Sequence, residues 1–381
     1  MDAAACRLHA EPMTEEDFQA TRITVRLGAI AANYRTYRRM VGPASVAAVV
    51  KADAYGLGAA RIAPMLAGVG CDSFFVARLE EGIRLRKLLP DARIFVLDGA
   101  QPDAVPALLT HRLTPALNSL AEIAAWSAAA GATRTSLDAV LHVDTGINRL
   151  GLPGDELAIL SGEARVRLAG LNIVLVMSHL ACGDDAASKM NAEQLSRFQQ
   201  ALAMLPAAPA SLAASHGAML GPEYHFDLVR PGIGLYGANP QANGQNLMQA
   251  TFALTGKLLQ LRRIDSGASV GYAATFRAKR PTMLATVALG YADGIPRTAS
   301  NQGFAAIHGV RAPITGRVSM DVLVLDVTDM AEPPRVGDDV ELIGDTVTLR
   351  DAAKAAGTNE YEILTRLGHR LPRVYVEGAS A

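Results

Sequence analysis

Short apolar runs alternate with helix-like segments over the first 237 residues of this 381-residue chain. The apolar runs lie at residues 45–50, 73–76, 94–97, 139–143 and 173–177. The helix-like segments include residues 78–89, 103–109, 119–130 and 192–205. Alternating β and α elements imply a parallel sheet, and about eight such units fit this span. We therefore predict an α/β fold with a (β/α)8 barrel, the alternative being an open doubly wound sheet. The G-x-G-x-x-G at residues 232–237 follows no predicted strand, so a dinucleotide-binding fold is disfavoured.

The pattern changes at a connector, residues 239–246, which is rich in Asn, Gln, Pro and Gly. Beyond it the sequence predicts one helix at 349–356 and strands at 252–264, 282–289, 305–310, 322–327 and 339–343. We therefore predict a flexible extension over residues 1–20, a barrel over 21–245 and a mostly β domain over 246–381. A first strand near residue 23 is expected to pack with the β domain.

Charge and cysteine content exclude several kinds of partner. The formal net charge is −1 and no long run of one sign occurs, which argues against nucleic-acid binding. The three cysteines, Cys6, Cys71 and Cys182, are too widely spaced for a disulfide framework or a metal site, so a reducing compartment is expected. No apolar run approaches the roughly 18 residues that span a bilayer, and residues 1–16 lack a signal-peptide core. We predict a cytoplasmic protein with no metal and no membrane partner.

The strand-like run 45–50 ends in Lys51, followed by a polar turn that contains glycine. The carboxyl ends of barrel strands are where barrel enzymes act, and a desolvated lysine there becomes a nucleophile or imine former. On position alone, a solvated surface charge is the commoner outcome. However, Val-Val-Lys-Ala-Asp-Ala-Tyr-Gly-Leu-Gly, residues 49–58, closely resembles the pyridoxal phosphate (PLP) attachment motif of the alanine racemases. The resemblance implies that Lys51 attaches PLP and that Tyr55 lies near its phosphate.

Two further motifs resemble the acid/base machinery of that family. Tyr272, within residues 269–276, matches the catalytic tyrosine, which would serve as the second base beside Lys51. A phenol has an ordinary pKa near 10, so it needs help to act near neutrality. His179, within residues 177–181, matches the histidine that would link Tyr272 to Arg230.

Other matches imply how cofactor and substrate are held. Arg230, within residues 226–237, would face the pyridine nitrogen without protonating it, because arginine keeps its proton. Arg149, within residues 144–151, would bind the substrate carboxylate, and the Met320 backbone would contact it too. The resemblance also implies phosphate contacts from the Ser215 hydroxyl and the Gly232 and Ile233 backbone. It further implies entrance positions at Asp184, Tyr291, Asp293, Arg297 and Arg317.

These matches predict a PLP-dependent racemase that interconverts L- and D-alanine by a two-base mechanism. In the family, the tyrosine comes from the other subunit, which implies a homodimer with shared sites and a small amino-acid substrate. Alternatives are a broader-specificity or serine racemase, a non-catalytic PLP-binding protein, and a decarboxylase of basic amino acids. The second domain with Tyr272 argues against the non-catalytic protein, and the joint presence of Arg149 and Tyr272 argues against the decarboxylase.

The chain departs from the family pattern at four positions. His142 stands where many members have a carbamylated lysine, so no carbamate can form there. The other three departures are Ala214 for an asparagine, Ser319 for a common cysteine, and His369 aligned with a tyrosine found near the phosphate. They affect the prediction of substrate choice more than that of the cofactor.

Overall fold

The computed structural model describes residues 19–240 and 246–378, so nearly all of the predicted extension lies outside the described residues. These residues fall into two units. The barrel unit holds residues 25–252, 360–365 and the segment from 375 onward, and the β unit holds residues 19–24, 253–359 and 366–374. The predicted boundary at residue 245 adjoins the undescribed stretch 241–245 and stays a prediction. Among the described residues, no helix has the length and apolar character needed to cross a bilayer.

The barrel unit alternates strands with helices. Strand β1 (Thr21–Arg26) leads directly into helix α1 (Leu27–Met40). The strands that follow are β2 (Ser45–Val46), β3 (Ala48–Val49), β4 (Ser73–Val76), β5 (Arg93–Val96), β6 (Thr114–Leu117), β7 (Leu137–His142), β8 (Leu171–Met177), β9 (Ala210–Ser211) and β10 (Leu228–Val229). The helices among them are α2 (Lys51–Tyr55), α3 (Ala59–Gly68), α4 (Leu79–Leu88), α5 (Val105–Thr110), α6 (Leu120–Thr133), α7 (Gly154–Arg167) and α8 (Lys189–Met204).

The strands form a closed parallel ring. Strands β3 to β9 make one sheet in sequence order, and β10 pairs in parallel with β2, which directly precedes β3. Arg230 bridges to Ala214 on the other side of β10, with its N–H bonded to the Ala213 carbonyl at 2.9 Å. The (β/α)8 barrel is thus confirmed, and the open doubly wound sheet is excluded. Strands β6, β9 and β10 were not predicted, and the last two have only two residues each.

The barrel wall is buried on both faces, as expected for parallel strands covered by helices. Every residue of β4 is buried, and Phe75 stacks on Phe95 of β5 with ring centroids 4.6 Å apart. The Arg230 guanidinium lies 5.9 Å from the centroid of the Phe75 ring. The Phe75 ring in the barrel wall therefore lies close to Arg230, a predicted site residue.

The β unit contains an eight-stranded sheet. The strands of this unit after β1 are β11 (Phe252–Ile264), β12 (Ser269–Val270), β13 (Phe276–Arg277), β14 (Thr282–Val287), β15 (Phe304–Ile307), β16 (Val310–Pro313), β17 (Leu323–Asp326), β18 (Asp339–Ile343) and β19 (Arg373–Val376). The order of the eight-stranded sheet is β16-β15-β18-β11-β1-β19, with β14 paired to β11 and β17 paired to β14, while β12 and β13 pair with each other. Helix α9 (Leu349–Ala356) forms as predicted, and helix α10 (Glu360–Thr365), which belongs to the barrel unit, was missed.

One predicted strand of the β unit was wrong. Residues 305–310 were expected to form a single strand, but they contain the turn of the β15–β16 hairpin, in which Ile307 pairs with Val310. His308 and Gly309 take φ values of 50° and 75°, the left-handed conformation that two-residue hairpin turns require. The chain therefore reverses direction within this apolar run, where one continuous strand was expected.

Candidate active site

Lys51 follows the first barrel strand and begins a turn of unusual handedness. The next four residues, Ala52 to Tyr55, have φ values of 52°, 55°, 53° and 56°. Left-handed backbone crowds a Cβ against the carbonyl and costs roughly 1–2 kcal/mol per residue. Such a turn persists only where the surroundings hold it.

Glu81 of α4 provides that support. Its Oε1 accepts the N–H of Ala52 at 2.6 Å, and its Oε2 accepts the N–H groups of Ala77 and Arg78 at 2.8 and 3.1 Å. One carboxylate thus connects the turn after Lys51 to the end of β4. Glu81 was not among the predicted site residues, although a glutamate in the first turn of a predicted helix is a helix-start signal.

The Lys51 amine is half-buried, and its pKa is lowered. Burial is the largest cause, and the positive charges of Arg149 and Arg230 act in the same direction. The carboxylates of Glu81 and Asp98 oppose the shift. Since the net effect favours the neutral form, Lys51 carries more nucleophilic amine near neutrality than an exposed lysine does.

Arg230 follows β10 and is buried. Its guanidinium donates to Ser211 Oγ, to the Ser178 carbonyl at 2.6 Å and to the Leu212 carbonyl at 3.4 Å. Burial lowers the pKa of Arg230 to about 10, so it keeps its charge at neutral pH.

His179 follows β8 at the same end of the barrel, since parallel strands end at a common rim. Its pKa lies well below the usual range, first through burial and then through Arg230 and Arg149, so the ring is neutral. The hydrogen bonds of Arg230 go to other partners, and the predicted link through His179 stays a prediction.

The predicted phosphate ligands form one cluster. Ser215 Oγ accepts the N–H groups of Gly232 and Gly234 at 2.8 and 3.2 Å, and Ile233 opens the short turn Ile233–Tyr236. A Cβ on Gly232 would lie 2.3 Å from the Tyr55 hydroxyl, so this approach requires glycine. The Ser215 and Tyr55 hydroxyls thus lie at one turn with the backbone N–H groups of Gly232 and Gly234. A group of hydroxyl and N–H donors of this kind fits the phosphate of PLP.

Tyr361 of α10 also lies beside this cluster, and sequence analysis missed it. Its ring centroid is 6.0 Å from that of Tyr55, and its hydroxyl is 3.3 Å from His216 Nδ1. Burial raises the pKa of Tyr361, with a further contribution from the exposed Asp184. The phenol therefore stays protonated and can donate. Asp184, a predicted entrance residue, thus lies within electrostatic range of Tyr361.

The loop that carries Arg149 is tightly constrained. Asp144 Oδ1 accepts the N–H groups of Gly146, Ile147 and Asn148 at 2.8, 3.0 and 3.2 Å. Arg149 is exposed, and among the described residues its guanidinium makes no hydrogen bond or ion pair. The loop thus presents a free cation at the end of the barrel that also carries Lys51.

In the β unit, most of the predicted residues lie around one loop, residues 316–321. Tyr272 is 67 % exposed on the turn that follows Gly271, and a Cβ on Gly271 would lie 3.1 Å from the Arg317 nitrogen. The Tyr291 N–H donates to the Ser319 carbonyl at 2.9 Å, next to the exposed Met320. Tyr272, Tyr291, Arg317 and Met320 therefore share one surface region, while Arg297 is exposed at the start of a separate short turn.

Asp293, predicted at the entrance, is buried instead at 2 % exposure. It accepts the Gly290 N–H at 2.8 Å and binds Arg370, which also contacts Asp321. Sequence analysis missed Arg370, since no local pattern joins it to Asp293. Within residues 19–240 and 246–378, no cluster of His, Cys, Asp and Glu side chains is suited to a metal ion.

Comparisons with known proteins give a consistent result. Residues 25–240 match the family model for the N-terminal domain of alanine racemase, and residues 251–375 match the C-terminal domain. The alanine racemase of Rhodospirillum rubrum is 47 % identical over 366 residues, which cover 95 % of this chain and 98 % of that protein. The catabolic alanine racemase of Agrobacterium fabrum is 46 % identical over 357 residues, covering 93 % and 92 %.

Solved structures agree with these matches. The crystal structure of alanine racemase from Bartonella henselae, with covalently bound pyridoxal phosphate, has a TM-score of 0.91 and 41 % identity and covers 94 % of this chain and 100 % of its own. The biosynthetic alanine racemase from Pseudomonas aeruginosa has a TM-score of 0.88 and 37 % identity and covers 94 % and 99 %. Both likenesses span the barrel and β units.

Proposed function

The chain belongs to the alanine racemase family, and we propose that it interconverts L- and D-alanine with PLP as its cofactor. The observation that carries the proposal is the state of Lys51. It stands in the family's attachment motif, at the carboxyl end of a barrel strand, with a pKa lowered by burial and by Arg149. An amine in this state is suited to covalent attachment of a carbonyl cofactor.

PLP, when bound, acts as an electron sink that makes the α-hydrogen of an amino acid acidic. We assign Lys51 as the attachment residue and the cluster of Ser215, Tyr55, Gly232 and Ile233 as the phosphate site. The position of the Ser215 and Tyr55 hydroxyls beside the Gly232 backbone supports this assignment. Arg230 would lie against the cofactor ring as a charge that keeps its proton, in line with a pKa of about 10.

Two side chains move the proton on opposite faces of the substrate. The neutral amine of Lys51 takes or returns it on one face, and the Tyr272 phenol does so on the other. His179 stays neutral and can therefore accept a hydrogen bond that connects Tyr272 to Arg230. Arg149, with its guanidinium free, binds the substrate carboxylate together with the Met320 backbone.

We propose that Tyr272 acts on the barrel of a second copy of the chain. The exposed surfaces of Tyr272, Met320 and Tyr291, at 67 %, 53 % and 42 %, support a role for this region in covering another subunit. Two such copies would form a homodimer with two shared sites. Asp184, Arg297 and Arg317 would then line the entrance, and Asp293 would support it from below.

A second candidate is a racemase of broader specificity that includes serine, which the departures at His142, Ala214 and Ser319 favour. A non-catalytic PLP-binding protein is a weaker candidate because the chain carries the second domain and Tyr272. The relatives include catabolic and biosynthetic enzymes, so D-alanine biosynthesis stays a prediction. A cytoplasmic location likewise rests on the cysteine pattern.

The test is α-hydrogen exchange in deuterated solvent with the PLP-loaded protein and a panel of L- and D-amino acids. We expect alanine of both configurations to exchange and to interconvert, and serine to do so only under the second candidate. Tyr272→Phe should impair exchange of L-alanine most, and Lys51→Ala should remove both the activity and the visible absorbance of the attached cofactor. Absence of racemisation for every amino acid tested would refute the proposal.

A further inference from the structure

His142 Nε2, a buried acceptor atom in the barrel unit, has no hydrogen-bond partner. His142 ends β7 and is 6 % exposed, directly before the loop that carries Arg149. A buried polar atom without a partner is costly, and nearly all such atoms in proteins are paired. The orphaned atom therefore indicates that a nearby donor, itself without a partner, can turn towards it.

The protonation state of His142 follows from Asn118. The Asn118 amide nitrogen is 2.8 Å from the Ala116 carbonyl and 3.2 Å from the Leu97 carbonyl, so it must be the donor end. Its oxygen, 2.8 Å from His142 Nδ1, then accepts the Nδ1 proton. Nε2 is therefore an unprotonated acceptor.

The position of Asn118 is itself fixed by Glu122. Glu122 is buried and accepts from the Asn118 backbone N–H at 2.8 Å and from Gln101 Nε2 at 2.8 Å. Burial lowers the pKa of His142 to about 4, so the ring is neutral at physiological pH. Its tautomer and charge are both set by the surrounding structure.

The groups that face His142 identify the missing donor. The charges that act on it are those of Arg230, Asp144 and Arg149, and it lies within electrostatic range of His179. Arg230 already donates to Ser211, Ser178 and Leu212. The Asp144 carboxylate can only accept, and Oδ1 already accepts three loop N–H groups. Arg149 remains as a cation whose guanidinium has no partner among the described residues.

The loop geometry brings the Arg149 segment against the correct edge of the ring. The Leu152 N–H donates to the His142 carbonyl at 2.7 Å, which closes the loop beside the histidine. A Cβ on Gly151 would lie 3.2 Å from His142 Cδ2, the atom bonded to Nε2. Gly151, two residues after Arg149, therefore lies beside the ring edge that carries the free acceptor.

We propose that His142 Nε2 accepts an N–H of Arg149 and so positions its guanidinium for the substrate carboxylate. The inference rests on the proposed function in that it takes Arg149 as the carboxylate ligand. A neutral acceptor orients the guanidinium without neutralising its charge, which stays available to the substrate. His142 is thus a positioning residue that acts through Arg149.

Two substitutions separate the two ring nitrogens. His142→Asn places an amide near Nδ1 and keeps the contact with Asn118, whereas His142→Gln reaches the position of Nε2. We expect His142→Asn to raise KM for both alanine enantiomers roughly tenfold, the factor equivalent to 1.4 kcal/mol. His142→Gln should stay within about threefold of the unsubstituted chain, and kcat should change little in either variant. In an Arg149→Lys background, His142→Asn should add no further increase.

Two readouts do not depend on racemisation. Propanoate, a carboxylate without an amino group, should bind the PLP-loaded protein about tenfold more weakly after His142→Asn, with the cofactor absorbance unchanged. In the unsubstituted protein, 15N NMR of labelled histidine should give the Nδ1–H tautomer for His142, assigned by its loss in His142→Gln.

The outcomes distinguish the two proposals. If alanine is not racemised but propanoate binding falls with His142→Asn, the proposed function fails and the inference stands. If alanine is racemised and both variants bind propanoate as the unsubstituted chain does, the inference is overturned. A proton on Nε2 in the NMR spectrum would overturn it without any variant.

Discussion

Arg370 binds Asp293 through two parallel hydrogen bonds, from Nε to Oδ1 at 2.6 Å and from Nη2 to Oδ2 at 3.0 Å. Its remaining Nη1 reaches Asp321 Oδ1 at 2.7 Å. Asp293 ends the turn that begins at Gly290, and Asp321 directly follows Met320. One guanidinium thus joins the two segments that carry Tyr291 and Met320, both predicted to contact the substrate or its entrance.

Arg370→Lys should therefore loosen both segments, since a lysine cannot replace the planar two-pronged contact. We expect KM for alanine to rise by up to roughly fivefold, with a smaller change in kcat. Steady-state kinetics in both directions would measure this. Arg311→Lys is the matched control, because Arg311 also bridges a carboxylate, Asp351, away from the predicted site. Equal effects of the two substitutions would contradict a specific role for Arg370.

Glu81→Gln should weaken the turn that holds Lys51. The carboxylate accepts three N–H groups, and the amide nitrogen of glutamine would face at least one of them. Loss of one such partner costs about 1–3 kcal/mol, so the free energy of unfolding in urea should fall by that order. The visible absorbance of attached PLP should fall with it at limiting cofactor. The neighbouring, exposed Glu80→Gln is the control and should match the unsubstituted chain.

His142 should make the stability of the protein depend on pH. Its pKa is about 4 in the folded protein and near the ordinary value of 6.5 in the unfolded chain, so between these values the unfolded chain binds more protons. Stability is therefore full above about pH 6.5 and falls as the pH drops towards 4. Over that range, the free energy of unfolding of the unsubstituted chain should fall by about 3 kcal/mol more than that of His142→Gln. Urea denaturation of both proteins from pH 4 to pH 8 would measure the difference, and parallel curves would contradict the assignment.

Shared sites predict rescue between two inactive chains. A mixed dimer of Lys51→Ala and Tyr272→Phe has one site with both defects and one with neither. Random exchange should restore about a quarter of the unsubstituted activity, because half the dimers are mixed and each has one intact site. Activity is measured after subunits have been exchanged, with exchange itself verified by tagged chains. No recovery despite verified exchange would refute sharing.

The sequence predicted those parts of the fold that rest on local patterns. Long apolar runs such as β8 and the capped helix α9 were predicted because their signals lie within a few residues of each other. Strands β9 and β10 are too short to carry a period, and the hairpin at His308 depends on backbone dihedrals that an apolar run conceals.

Motif resemblance selected candidate site residues but not their supports. Arg370 and Asp293 are 77 residues apart, and Glu81 and Ala52 are 29 apart, so only the folded chain joins them. The same holds for Asn118 and His142, whose contact fixes a tautomer that no sequence pattern encodes. The missed residues share one property, which is that they act on other side chains or on backbone through tertiary contacts.

The left-handed turn at Ala52–Tyr55 also limits how the cofactor lysine can move. Glycine at these positions would relieve the strain but would leave many conformations open, whereas four residues with a Cβ leave few. The turn is therefore a poor hinge. We expect the backbone at Lys51 to stay in place, so that any movement of its amine would come from rotation within the lysine side chain alone.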